Sequence, residues 1–483
     1  MWRDDHDCRS YLIYGIAASA NDLRPASIAG LTPDVSSDFE FMRQLPSNPS
    51  LAAPDSAHTA LDLKRIYRRI TLRLIPFLML LYLVAFLNRV NVSFAALTMN
   101  RDLGLSNTLF GIGAGIFFVG YVPFEVPSNF MLANVGARLW LTVLLVLMGL
   151  VSAGFAFVHT STSYMVMRFL LGAAESGFFP GVVLYLTFWL PASVRGGLMS
   201  LFIVSIPLST VVGAPLSMAI LKMNGIAGLR GWQWLFVLEG GLAIVVGLMI
   251  PKILADSPKK ANWLSPQEST WLVAAISAES RPTTAHASWI HLFRSRTVLG
   301  FALGYFILMI GLYGLGFWIP RILTSQGLPV AQTGWMTALP YVIATVGMVL
   351  WSRHSDSSGE RTWHVVLAFL AAAVGMYVAS VTHVVAVSVA GFSIAALGIC
   401  SAMPLFWVVS TEHLGENGVA GIAVINAIGN LGGFVGPFWM GWLVDRTHFF
   451  SAGLLAAAIT LALGAALMFG LSRPTPAATA VKP

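Results

Sequence analysis

The chain has 483 residues, 57% of them hydrophobic and 10% charged, with a mean hydropathy of +0.76 and a formal net charge of +7. A soluble protein carries about 25% charged residues, so the composition excludes a soluble globular class and predicts an all-α polytopic membrane protein. The basic residues gather beside apolar runs, as membrane topology requires, which argues against a nucleic-acid partner. Cys8 and Cys400 are too few for a disulfide framework or a metal site.

Residues 1–63 are rich in Asp, Ser, Pro and Ala and are expected to form a disordered cytoplasmic tail, with Met42 as an alternative start. They lack the apolar core of about 7–15 residues that a secretory signal needs after a basic start. Apolar segments of spanning length follow at 72–98, 108–133, 138–158, 163–190, 197–222 and 232–254. Six more run over 297–320, 333–351, 363–382, 384–410, 417–444 and 450–472. Each is near the ~20 residues that a ~30 Å hydrocarbon core demands. The pattern predicts twelve transmembrane helices in two six-helix bundles, 64–254 and 297–473, with a short C-terminal tail at 474–483.

Between the halves, 255–296 reads as a cytoplasmic linker. Ser265, Pro266 and Glu268 have the spacing of a helix start, so the linker is expected to carry a surface helix. Lys64, Arg65, Arg68, Arg69, Arg138, Arg195, Lys252, Arg353 and Arg361 fall on one side of the membrane under this topology. Only Arg101, Lys222, Arg230, Arg321 and Arg446 fall on the other, so both termini are expected inside.

Charges within the spans carry the functional signal. Arg168 and Glu175 stand seven residues apart in one apolar run. On a helix that spacing returns to the same face within about 20° and separates them by about 10 Å. Each ionised group near the membrane centre costs at least ~2.5 kcal/mol, so neither is incidental, and together they point to a pathway for a charged solute. Arg89 lies deep in the first span, and guanidinium offers a carboxylate a two-pronged fit. Tyr121 and Glu125 share a helix face, with Glu125 expected to clamp Arg138 at the loop. Asn426 and Asn430 are likewise i,i+4, among glycines that favour close helix packing. His383, His413 and His448 show no metal-ligand spacing, and a phosphate-cradling Gly-Lys-Ser/Thr motif is absent, which argues against an ATP-driven pump.

Several strings resemble the major facilitator superfamily, and within it the anion:cation symporter family. They are Phe86-Leu87-Asn88-Arg89-Val90-Asn91-Val92 in the first span and Gly120-Tyr121 with Glu125-Val126-Pro127-Ser128-Asn129 in the second. The fourth gives Ala174-Glu175-Ser176-Gly177-Phe178-Phe179-Pro180-Gly181, and Gly231-Trp232-Gln233-Trp234-Leu235-Phe236 opens the sixth. Tyr313-Gly314-Leu315-Gly316-Phe317-Trp318-Ile319-Pro320 and Asn426-Ala427-Ile428-Gly429-Asn430-Leu431-Gly432-Gly433 follow in the seventh and eleventh. The likeness covers residues 64–473.

The resemblance implies a secondary transporter, not an enzyme, that imports organic anions such as tartrate, phthalate or sugar acids together with protons, without a cofactor. It assigns Arg89, Tyr121 and Asn430 to the substrate, Glu175 to the proton and Arg168 to a supporting charge; Tyr313 is a further substrate candidate. Asn88 stands where the family usually has an acid. An amide cannot carry a proton, so a proton-independent uniporter or exchanger is the alternative. The expected setting is the cell inner membrane, and the expected state a monomer.

Overall fold

The computed structural model describes residues 56–191, 199, 202–279, 292–414 and 418–472. Residues 1–55 of the expected N-terminal tail (1–63), residues 473–483 with the expected C-terminal tail, and linker residues 280–291 lie outside the described residues, whereas 56–63 belong to a helix. Those described divide into two compact units at Arg73 and Leu74. In the first, the chain is helical from Ser56, and Thr71 Oγ1 donates to the Tyr67 carbonyl at 2.8 Å. The second unit carries the remaining architecture.

Among the described residues every regular element is helical. α1 (Ser56–Val90), α2 (Val92–Asp102), α3 (Asn107–Val135), α4 (Ala137–Gly154), α5 (Ser161–Glu175) and α6 (Phe178–Thr187) come first. α7 (Ser205–Leu221), α8 (Gly231–Ile253), α9 (Pro266–Glu279), α10 (Arg296–Gly316), α11 (Ile319–Ser325) and α12 (Val330–Ser358) follow. α13 (Thr362–Ser380), α14 (Val385–Leu414), α15 (Gly418–Asn430), α16 (Gly432–Thr447) and α17 (Phe450–Leu471) are the last among the described residues. Eleven helical runs here are long and apolar enough to cross a membrane. The expected fifth span, 197–222, is present as α7 with 17 residues, and 192–198, 200 and 201 before it are not described. α9 begins as its sequence predicts: Ser265 N–H donates to Glu268 Oε2 at 2.8 Å, and Glu268 N–H to Ser265 Oγ at 3.2 Å.

Glycine permits the closest helix contacts. A Cβ at Gly172 would strike the Phe117 carbonyl, which is why α5 can lie against α3. Gly149 and Gly240 do the same for α4 and α8. In the C-terminal half α13 packs on α14 and α17. Two seams join the halves: α3 against α16, and α7 against α12.

Four spans are interrupted, and each interruption falls near a residue singled out above. Pro180 and Pro320 lack the N–H that would bond the carbonyl four residues back, so the helical lines break between α5 and α6 and between α10 and α11. Ser93 Oγ donates to the Val90 carbonyl at 2.7 Å where α1 gives way to α2. At Gly432, where α15 gives way to α16, a Cβ would hit the Phe306 carbonyl of α10. Arg89, Glu175, Tyr313 and Asn430 thus each lie within three residues of a helix end at one of these breaks between successive helices.

Candidate functional site

Arg89 is the hub. Its Nε donates to Glu175 Oε1 at 3.0 Å and its Nη2 to the same oxygen at 2.5 Å. Its Nη1 donates to the Tyr313 hydroxyl at 2.6 Å, reaching from the N-terminal half into the C-terminal half. Exposure is 5% at Arg89, 1% at Glu175 and 4% at Tyr313, so this is a desolvated ion pair, not a surface one. Aromatic faces complete the enclosure: Arg89 Cζ lies 5.3 Å from the Phe86 ring centroid, 5.1 Å from Phe117 and 5.6 Å from Tyr121. Glu175 Oε2 is buried without a hydrogen-bond partner.

Arg168 shares the stripe of Glu175 but does not hydrogen-bond to it. Its Nε donates to the Gly113 carbonyl at 3.2 Å, Nη2 to Ala114 at 3.1 Å and Nη1 to the Arg89 carbonyl at 3.3 Å. All three acceptors are neutral backbone oxygens on α3 and α1. Arg168 therefore fixes the backbone that presents Arg89, and its charge has no carboxylate partner in direct contact. Around Phe117, which lies 5.1 Å from both guanidinium carbons, two cations face one carboxylate. With all three groups ionised, the cluster holds one positive charge in excess, which favours an anion.

The other candidates are placed as follows. Tyr121 stacks on Phe117 with centroids 6.0 Å apart and presents its ring to Arg89. Asn430 ends α15 and is 8% exposed, and among the described residues no side-chain hydrogen bond joins it to the Arg89 cluster. Asn88 turns away from the cluster, its Nδ2 donating to the Val84 carbonyl at 2.9 Å and the Glu239 carbonyl at 3.2 Å. The cavity beside Tyr313, lined by Phe86, Ser93, Thr210 and Tyr341, has a volume of about 10 Å³, room for about one water. The site is closed in this conformation.

Glu125 differs from the sequence expectation. Its Oε1 accepts from Asn426 Nδ2 at 2.7 Å, whereas Arg138 pairs with Asp256 at 3.8 Å. The acid is more than half buried, bonds to the eleventh span and forms no salt bridge with Arg138, so it joins the halves instead of clamping a loop. Glu239, an acid between Leu238 and Gly240 in an apolar run, carries the same sequence signal as Glu175 and is not among the candidates named above. Among the described residues no cluster of three or more His, Cys, Asp or Glu could hold a metal ion.

Residues 78–437 match the Major Facilitator Superfamily. A protein of Agrobacterium vitis named "Putative tartrate transporter" is 50% identical over 418 residues, covering 86% of this chain and 93% of its own. A "Quinolone resistance transporter" of Acinetobacter baumannii is 37% identical over 410 residues, covering 84% and 94%. In fold, the chain resembles the partially occluded inward-open xylose transporter XylE from E. coli, with a TM-score of 0.66 at 17% identity, covering 83% of this chain and 98% of that one. With its helical spans, its buried charge cluster and these matches, the chain is a multi-pass membrane transport protein and belongs to the Major Facilitator Superfamily, in the anion:cation symporter-like group.

Proposed function

We propose that the protein imports an organic carboxylate of the tartrate class by proton-coupled symport across the bacterial inner membrane, as a monomer with both termini cytoplasmic. One observation carries the reading: Arg89, the cation best suited to a substrate carboxylate, is already held by Glu175 and Tyr313. A substrate anion must therefore compete with an internal carboxylate. Protonation of Glu175 removes that competitor and frees the two-pronged guanidinium face.

The proposed cycle follows from charge. With the site open outward, Glu175 takes a proton and the substrate carboxylate pairs with Arg89. Tyr121, Tyr313 and Asn430 offer hydrogen bonds to its remaining oxygens. Arg168 holds the Arg89 backbone and balances a second negative charge. The loaded site is closer to neutral, so sealing it from water costs less than sealing an unpaired charge. The bundles 64–254 and 297–473 then rock about the site and open it inward. Loss of the proton restores Glu175 to Arg89 and expels the anion.

The greater similarity to tartrate-named relatives supports this substrate class. Uptake of radiolabelled tartrate into proteoliposomes under an imposed pH gradient tests it. Wild type should accumulate tartrate, while Glu175→Gln should lose accumulation and keep counterflow exchange. Accumulation by the variant at the wild-type level removes Glu175 from the coupling. The exchanger alternative predicts tartrate entry with no change of external pH.

A further inference from the structure

Glu239 is the second carboxylate buried among the spans, and the cycle above leaves it unused. It lies on α8 with 1% exposure. Oε1 accepts from Ser217 Oγ of α7 at 2.9 Å, while Oε2 is buried without a hydrogen-bond partner. The Asn91 amide lies beside the same carboxyl. Neither polar atom of Asn91, nor Asn88 Oδ1, has a partner of good geometry. Asn88 is tied to the Glu239 backbone carbonyl and precedes Arg89 in sequence. A polar nest thus sits between the first, fifth and sixth spans, next to the anion site in the chain.

Among the described residues no cation pairs with Glu239. α8 packs on α2, α4, α7 and the 155–157 turn. α7 and the turn contain no ionisable residue. On α2, Asp102 pairs with Arg230 at 2.9 Å, and Arg101 is exposed at the same helix end. On α4, Arg138 pairs with Asp256 at 3.8 Å at the opposite end. Lys252, 13 residues along α8, is about 20 Å away by helix rise. Arg89 is spent on Glu175 and Tyr313, and Tyr82 lies among Phe178, Phe179 and Phe202. None of these groups forms an ion pair with Glu239. An ionised carboxylate there would be a buried charge without a counter-ion, a state that proteins avoid by neutralising the group.

We propose that Glu239, within the Asn88, Asn91 and Ser217 nest, is a second proton-binding site of the transporter, holding its proton in the closed state and releasing it when the halves separate. The proposal rests on the proton-coupled reading of the central site. Its route to water is the α7–α12 seam: a Cβ at Gly334 of α12 would touch Met218 and Ala214, residues flanking Ser217 on α7. When that seam opens, the acid's O–H bond breaks, the proton passes to an entering water and the electron pair stays on the carboxylate. The Ser217 hydroxyl continues to donate to it.

The experiment uses the full chain in lipid. Infrared difference spectra between neutral and alkaline pH should show a protonated carboxyl stretch that is lost on alkalinisation and is missing in Glu239→Gln. In proteoliposomes, Glu239→Gln should carry one proton fewer per tartrate, while Glu239→Asp, which keeps the acid, should restore the wild-type ratio. Monodispersity of each variant on size exclusion establishes that it is folded. An identical band in wild type and Glu239→Gln, or a Glu239 band that never titrates, overturns the proposal, as does an unchanged proton ratio. If wild-type tartrate entry moves no protons, the Glu175 reading fails, and the infrared band still decides the protonation of Glu239.

Discussion

The Asn426 amide of α15 donates to the Glu125 carboxyl of α3 at 2.7 Å, joining residues 301 positions apart. At the other end of α3, about 27 Å away by helix rise, Asp445 of α16 accepts from Asn107 and Thr108. α3 is therefore tied to the eleventh span at two separated points, and the Arg89–Tyr313 bond also links the halves. That arrangement accounts for a site with room for about one water.

Releasing one end should bias the carrier toward opening there. A side-chain hydrogen bond contributes about 0.5–1.5 kcal/mol net, so Asn426→Ala should raise the open fraction at the Glu125 end by roughly two- to tenfold. Spin-label distances across α3 and α15 at that end read the change directly. Distributions identical to wild type would show that the bond does not hold the gate.

Asp445→Ala should act in the opposite direction. Its carboxylate takes the Thr108 N–H at 2.7 Å and the Asn107 N–H at 3.2 Å, and each side chain adds a further bond. Removing it strips a negative charge from the start of α3, where orphan N–H groups favour one. The pair of spin labels at this end should separate, while those at the Glu125 end stay together. In the double variant with Asn426→Ala, the two biases should partly cancel.

The spans, their order and the central cluster were legible because buried charge in an apolar run is rare and helix geometry fixes which residues share a face. Arg89, Glu175 and Tyr313 converge as three separate spans allow. Partner choice was not legible. Arg168 and Glu175 share a stripe, yet Arg168 bonds to carbonyls of neighbouring helices, whose approach depends on Gly172 and on interhelical packing. Glu125 was assigned to Arg138 by sequence proximity, and a tertiary contact with Asn426 won. Periodicity reports the face of a helix but not the helix that faces it.

Arg168→Lys should separate position from charge. Lysine keeps the cation but cannot reach three carbonyls on two helices from one fork. Each buried acceptor left unmade costs about 1–3 kcal/mol, so the variant should melt several degrees lower in detergent. Because the Arg89 carbonyl is one of the three, tartrate KM should rise as well. A melting point and KM equal to wild type would remove Arg168 from the positioning role.

A pH effect is expected at the α12–α13 turn. Burial alone would push the Glu360 carboxyl up, but the Trp363 N–H at 2.7 Å, the His364 ring at 2.9 Å and the His364 N–H at 3.3 Å outweigh it and hold the acid below the usual carboxylate range. A depressed acid stabilises the fold above its unfolded value and loses that contribution as pH falls through its folded value. Glu360→Gln should therefore lower the melting temperature by a constant amount through the neutral range, and the gap should close in strong acid. A gap that widened on acidification would contradict the assignment.

Arg89→Lys tests the anion site itself. The guanidinium uses three nitrogens at once, two on Glu175 Oε1 and one on Tyr313, and a substrate carboxylate would inherit that fork. Lysine supplies a point charge on a flexible stem and cannot bridge both partners. Tartrate KM should rise by about tenfold or more, the equivalent of about 1.4 kcal/mol, while Glu175 loses its paired geometry. Tyr313→Phe removes a single neutral donor-acceptor group and should cost less, about 0.5–1.5 kcal/mol or roughly two- to tenfold in KM. Initial rates of tartrate uptake at several concentrations give both values. Should Arg89→Lys keep a KM within about twofold of wild type, a difference under about 0.5 kcal/mol, the substrate carboxylate must be held elsewhere, and the competition between Glu175 and the anion loses its basis.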